Sequence, residues 1–113
     1  MSIEKKIIDK ALAIDGLPVK AKMGDDPGRE YFIELLGDLK QLFEQLEGKT
    51  QLSRELSHAL YCLGHSPYIE YTNAQKYGKS FRDDLFDPQI FELEMAVESI
   101  FLGQWVSYLD ESK

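Results

Sequence analysis

An all-α fold, a compact bundle of about four to six helices with a largely buried C-terminal helix, is what this 113-residue chain predicts. Three observations lead there. Apolar residues recur at three- and four-residue spacing over most of the length, in segments punctuated by glycine or proline. Alternating, strand-like patterning is confined to two short stretches, the first of them with nothing obvious to pair with. A hydrophobic fraction of 43% over this length suffices for one core without disulfides or metals, so residues 1–113 are read as a single domain.

The first helix is predicted over Ile3 to Ile14, with Ser2 as N-cap, Ile3, Ile7, Ala11 and Ile14 on one face, and Gly16 as the stop. The second follows Asp25-Asp26-Pro27, which sets carboxylates near the positive end of the helix dipole and proline in the first turn. Tyr31, Phe32, Leu35, Leu36, Leu39, Leu42, Phe43 and Leu46 then fall within about 140° of one another on a wheel of 100° per residue. Gly48 ends this helix, and Glu30, Glu34, Gln41 and Glu44 occupy its polar side. The third runs from Gln51, capped by Thr50, to Leu63, buries Leu52, Leu56, Ala59, Leu60 and Leu63, and stops at Gly64.

Residues 17–28 include Val19, Ala21 and Met23 alternating with lysines, a pattern compatible with a strand but read as loop for want of a partner strand. Ser66-Pro67 opens a short helix expected to end near Gly78, with a strand over Tyr68 to Thr72 as the alternative. The last helix begins with Asp87 as N-cap and Pro88 at its first position and runs to about Leu109. It carries two apolar stripes: Ile90, Val97, Ile100, Phe101 and Tyr108, and, about 100° away, Phe91, Met95, Leu102, Val106 and Leu109, with Trp105 between them. Stripes this wide require neighbours on several sides, either inside the bundle or across a dimer or partner interface. Glu94 and Glu98 fall within the apolar arc, so they are expected to reach solvent at the bundle edge or meet a cation such as Arg54 or Arg82.

Thirteen Lys+Arg against 20 Asp+Glu give a formal charge of −7. That sign opposes nonspecific attraction to nucleic acid or anionic lipid as a main activity. The single cysteine, Cys62, has no intrachain partner for a disulfide. The N-terminal residues are interrupted by charges, unlike the apolar core of a signal peptide, and no stretch approaches the roughly 18 apolar residues of a membrane span. The only asparagine, Asn73, precedes Ala74-Gln75 and is no glycosylation acceptor. The expected setting is the cytoplasm, with the chain a monomer or homodimer.

Candidate catalytic groupings are few. Asp83-Asp84-Leu85-Phe86-Asp87 has the form DDxxD and resembles the aspartate-rich motif with which isoprenoid synthases hold magnesium against a diphosphate. The resemblance spans five residues, lacks a second metal-binding motif, and competes with the capping role of Asp87; a metal-dependent enzyme built on it is the alternative reading. Gly78-Lys79-Ser80 matches the end of a phosphate-binding loop, but the glycine required five residues earlier is Asn73. Glu55 and His58 have the spacing of a di-iron ligand pair without its second copy. His58, Cys62 and His65 suit zinc by type but lack a fourth ligand, and Cys62 lacks an orienting group that would make it a nucleophile. The chain is therefore read as a binding protein rather than an enzyme, with no cofactor and no metal.

Charge is segregated along the chain. Residues 1–22 carry a net +2, residues 23–47 a net −5, residues 48–82 a net +3 and residues 83–113 a net −7. A concentrated negative surface speeds encounter with a basic protein and rejects wrong partners. Tyr68, Tyr71 and Tyr77 lie among Lys76, Lys79 and Arg82, residue types that stack on single strands and equally form protein hot spots. With so few cations and Asp83-Asp84 next to them, protein contact ranks above nucleic acid. The combination of small size, acidity and no catalytic apparatus is similar to that of bacterial immunity proteins and phage-coded inhibitors, a likeness of class that rests on no motif. The expected function is an inhibitor that covers the cationic active site of a basic partner such as a nuclease toxin. Asp25, Asp26, Glu30, Glu34, Asp83 and Asp84 would supply the negative surface, and Tyr68, Tyr71 and Tyr77 the rim or anchor contacts. A homodimeric scaffold or regulatory subunit built on the last helix is the other alternative.

Overall fold

The computed structural model describes residues 2–106. Helix α1 spans Ile3–Leu12, α2 Leu17–Lys22, α3 Arg29–Gln45, α4 Arg54–Lys76 and α5 Phe91–Leu102, with a wide helical turn at Leu85–Ile90 before α5. There is no strand among the described residues. The helical bundle expected from the periodicity is therefore observed. Helix α4 packs against α1, α2 and α5, while α3 packs against α1 and α5.

The caps explain several boundaries. Ser2 Oγ accepts from the Lys5 N–H at 3.1 Å, as its position predicts. Gly16 does not stop α1, which has already ended at Leu12; it precedes α2 instead. The expected loop at 17–28 thus contains a helix. Pro18 pre-sets its first turn, and Leu17 and Ala21, one turn apart, are fully buried. Their four-residue spacing, not the alternation of Val19 with Met23, was the informative signal. Helix α3 begins two residues beyond Pro27, after Gly28 at φ 100°, and the Asp26 carboxylate accepts from the Gly28 N–H at 2.9 Å.

The largest correction concerns α4, which joins two predicted helices into one of 23 residues. It starts at Arg54, capped by Ser53 through the Leu56 N–H, rather than after Thr50. Leu56, Ala59, Leu60, Leu63, Pro67 and Tyr71 form one buried stripe, so burial carries the helix through Gly64 and Pro67. A Cβ at Gly64 would lie 3.0 Å from Val97 Cγ1, so glycine here permits close approach of α5 and does not terminate α4.

The last helix is shorter than expected at both ends. Asp87 is extended (φ −129°, ψ 111°), as suits a residue before proline, and α5 proper starts at Phe91. It stops at Leu102 because Gly103 turns left-handed at φ 75°. The Gly103 and Gln104 N–H groups donate to the Ser99 carbonyl, and Ser99 Oγ accepts from the Val106 N–H at 2.8 Å. Tyr108 and Leu109 lie outside the described residues. Leu93, Ala96, Val97 and Ile100 are buried, whereas Phe91, Phe101 and Leu102 are exposed, so α5 buries one face rather than most of its surface.

Beneath these elements lies one apolar core, in which Ile7, Leu17, Phe32, Leu35, Leu39, Leu56, Leu60, Leu63, Tyr71, Leu85 and Leu93 have little or no exposed surface. Each such side chain contributes about 1.5–3 kcal/mol by leaving water. On α3 the buried Asp38 accepts from Lys6 at 3.3 Å and Lys10 at 3.4 Å, which ties α1 to α3. Lys10 also pairs with Glu34 and lies 5.1 Å from the Tyr31 ring centre.

Candidate functional site

Two acidic loops far apart in sequence meet at one end of the bundle. The loop before α3 brings Asp25 and Asp26; the segment before the Leu85–Ile90 turn brings Asp83 and Asp84. Arg82 joins them. Its Nε and Nη2 donate to the two Asp26 oxygens at 2.6 and 3.1 Å, and its Nη1 donates to Asp84 at 2.8 Å. Arg29, first residue of α3, donates from Nε to the other Asp84 oxygen at 2.6 Å. The Arg82 guanidinium carbon lies 5.6 Å from the Phe32 ring centre, so the cation rests on the core while its nitrogens face the acids.

Electrostatics follow from this geometry. Hydrogen bonds from Arg29 and then Arg82 hold the Asp84 carboxyl down at about 2, against an ordinary value of 3.8. Both arginines are held above their ordinary value, with hydrogen bonding to Asp84 raising Arg29, and hydrogen bonding to Asp26 and Asp84 outweighing the burial of Arg82. The Tyr71 hydroxyl donates to the Asp25 carbonyl at 2.6 Å, fixing the first loop to α4. Burial pushes the Tyr71 phenol well above its usual range, so it remains a donor. The Lys79 side chain lies against Gly24, the residue before Asp25.

The nine predicted partner-binding residues separate into distinct roles. Asp26 and Asp84 are held by arginines, and Glu34 pairs with Lys10, whose hydrogen bond lowers the Glu34 carboxyl. Tyr71 is fully buried and unavailable as a rim contact; its four-residue spacing from Pro67 on the α4 stripe accounts for this. Asp25, Glu30 and Asp83 are exposed at the acidic end and form no ion pair among the described residues. Tyr77, at the end of α4, is 91% exposed, two residues before Lys79. Tyr68 is also exposed, its ring edge-on to Phe86 at 6.0 Å, and Phe86 in turn meets Phe81, the residue before Arg82. The residues sequence reasoning missed are Arg29 and Arg82 as organisers of the acids. Arg82, expected at Glu94 or Glu98, engages Asp26 and Asp84 instead; its place immediately before Asp83-Asp84 is the available clue.

The other candidate chemistry does not converge. Among the described residues no group of three or more His, Cys, Asp and Glu side chains is placed to hold a metal ion. His58 is exposed, and His65 stacks on Tyr61 with ring centres 4.9 Å apart. Burial pushes the Cys62 thiol up, away from the reactive thiolate. Glu94 is half-buried, which raises its carboxyl, while nearby His65 acts the other way; Glu98 is exposed. A surface hollow of about 610 Å³ lies between the C-terminal ends of α3 and α5, lined by Lys40, Phe43, Leu46, Leu52, Ile100 and Leu102 among others. No helix among the described residues is long and apolar enough to cross a membrane. Comparison with protein-family models, curated proteins and solved structures gives no match.

Proposed function

We propose that this chain is a small protein-binding domain of the inhibitor type, which neutralises a basic partner by covering its cationic active site, as in a nuclease toxin. The observation that carries the reading is the Arg82 clamp: it gathers the acids of two remote loops at one end and leaves Asp25, Glu30 and Asp83 exposed around it. Arg82 and Arg29 engage Asp26 and Asp84 and make the frame rigid, so the exposed acids meet a partner at low ordering cost. Tyr77 supplies an aromatic contact beside them. The cytoplasm remains the proposed setting.

Affinity capture from the host, followed by assay of the captured protein, tests the proposal. The expected result is a basic partner whose activity falls on stoichiometric addition of the chain, and whose capture is lost with Asp25→Lys/Glu30→Lys/Asp83→Lys. Capture that survives this charge reversal, or a partner without a basic surface, would overturn it.

A further inference from the structure

The hollow between α3 and α5 has the last turn of α5 as one of its walls. Ile100, Leu102 and Gly103 line it from that side, and Lys40, Phe43 and Leu46 from α3. After Gly103 turns left-handed, the chain crosses back to α3. There the Trp105 ring meets Phe43 edge-on at 5.4 Å and lies 4.4 Å from the Lys40 ammonium. The Val106 N–H then donates to Oγ of the buried Ser99 at 2.8 Å, which fixes position 106 beside the end of α5. The charged residues of the lining are Lys40, Glu44, Glu47 and Lys49.

We propose that this hollow is the docking site for residues 107–113 of the same chain, with Tyr108 and Leu109 as its apolar occupants. Three arguments select this occupant over a separate molecule. The first is continuity: Trp105 already contacts two residues of the α3 wall, so the residues that follow start at the hollow. The second is reach, since seven residues extend to about 23 Å. The third is sequence order. Tyr108-Leu109 suits an apolar lining of Phe43, Leu46, Leu52, Ile100 and Leu102, and Asp110-Glu111 immediately after it suits Lys49 and Lys40. A tether this short presents the segment at an effective concentration on the order of millimolar, so contacts too weak to hold a separate protein suffice. The inference does not rest on the proposed function, because no lining residue of the hollow belongs to the Arg82 cluster.

Trp105 is the only tryptophan, so its emission in the full chain reports on the hollow directly. Tyr108→Ser/Leu109→Ser is expected to shift that emission to the red and to raise its quenching by acrylamide. Asp110→Lys/Glu111→Lys should act in the same direction, and adding Lys49→Glu to it should reverse part of the change by restoring opposite charges. Asp25→Asn/Asp83→Asn, at the acidic end, should leave both readings as they are. Circular dichroism matching the parent chain separates lost docking from lost folding. Unchanged emission and quenching in the Ser pair would overturn the proposal, as would a Lys49→Glu that deepens the effect of Asp110→Lys/Glu111→Lys. So would parent emission that varies with protein concentration alongside a dimer in sedimentation, which would give the hollow to a second copy.

Discussion

Arg82 donates three hydrogen bonds to Asp26 and Asp84, and truncating it leaves those acids with only Arg29 on Asp84 and the Gly28 N–H on Asp26. Arg82→Ala is expected to cost about 1–3 kcal/mol, read as a lower urea midpoint. The same cluster sets an acid-side pH dependence. Because Asp84 is depressed from 3.8 to about 2 in the fold, its stabilisation is fully present above the ordinary value and disappears as pH falls through about 2. Urea midpoints should decline across that window, and more shallowly in Arg82→Ala, where one of the two arginines is gone; identical slopes would contradict the clamp. Tyr71→Phe keeps the buried ring and removes the bond to the Asp25 carbonyl, for an expected loss of about 0.5–1.5 kcal/mol. An unchanged melting temperature would mean that the loop before α3 is held by other contacts.

The α4–α5 contact is governed by Gly64. A leucine there drives its side chain into Val97, and overpacking of this kind costs about 1–3 kcal/mol despite leucine's better helix propensity. Val97→Ala opens the space, so the double variant should be more stable than the sum of the single losses implies; strict additivity in a thermal-denaturation cycle would refute the contact. The same glycine shows why element ends were less legible than elements. Local chemistry reads Gly64 as a stop and Ser66-Pro67 as a new start, whereas the buried stripe from Leu56 to Tyr71 overrides both through tertiary packing. At Gly103 the opposite holds: the local rule operates, and an apolar run beyond it disguised the stop. The acids of the candidate site were legible as charged loops, but their meeting was not. It depends on how α3 and the turn before α5 are brought together, and periodicity carries no information about that placement.

Across the whole molecule, net charge alone does not define a binding face; the position of the exposed acids does. Asp25, Glu30 and Asp83 lie at the N-terminal end of α3, while Glu44 and Glu47 lie at or beyond its C-terminal end, roughly 20 Å away by helical rise, and Glu55 is in the first turn of α4, which follows. At physiological salt the screening length is about 8 Å, so charge changes at the two ends act on a docking partner almost independently. Reversing either set leaves every ion pair described above intact. The decisive measurement is the association rate with the captured basic partner as a function of ionic strength, compared for Asp25→Lys/Glu30→Lys/Asp83→Lys and the equal-charge variant Glu44→Lys/Glu47→Lys/Glu55→Lys. An electrostatic face at the Arg82 end predicts at least about tenfold slower association and a flattened salt dependence for the first variant, with little change for the second. Equal slowing in both, or none in the first, would contradict it.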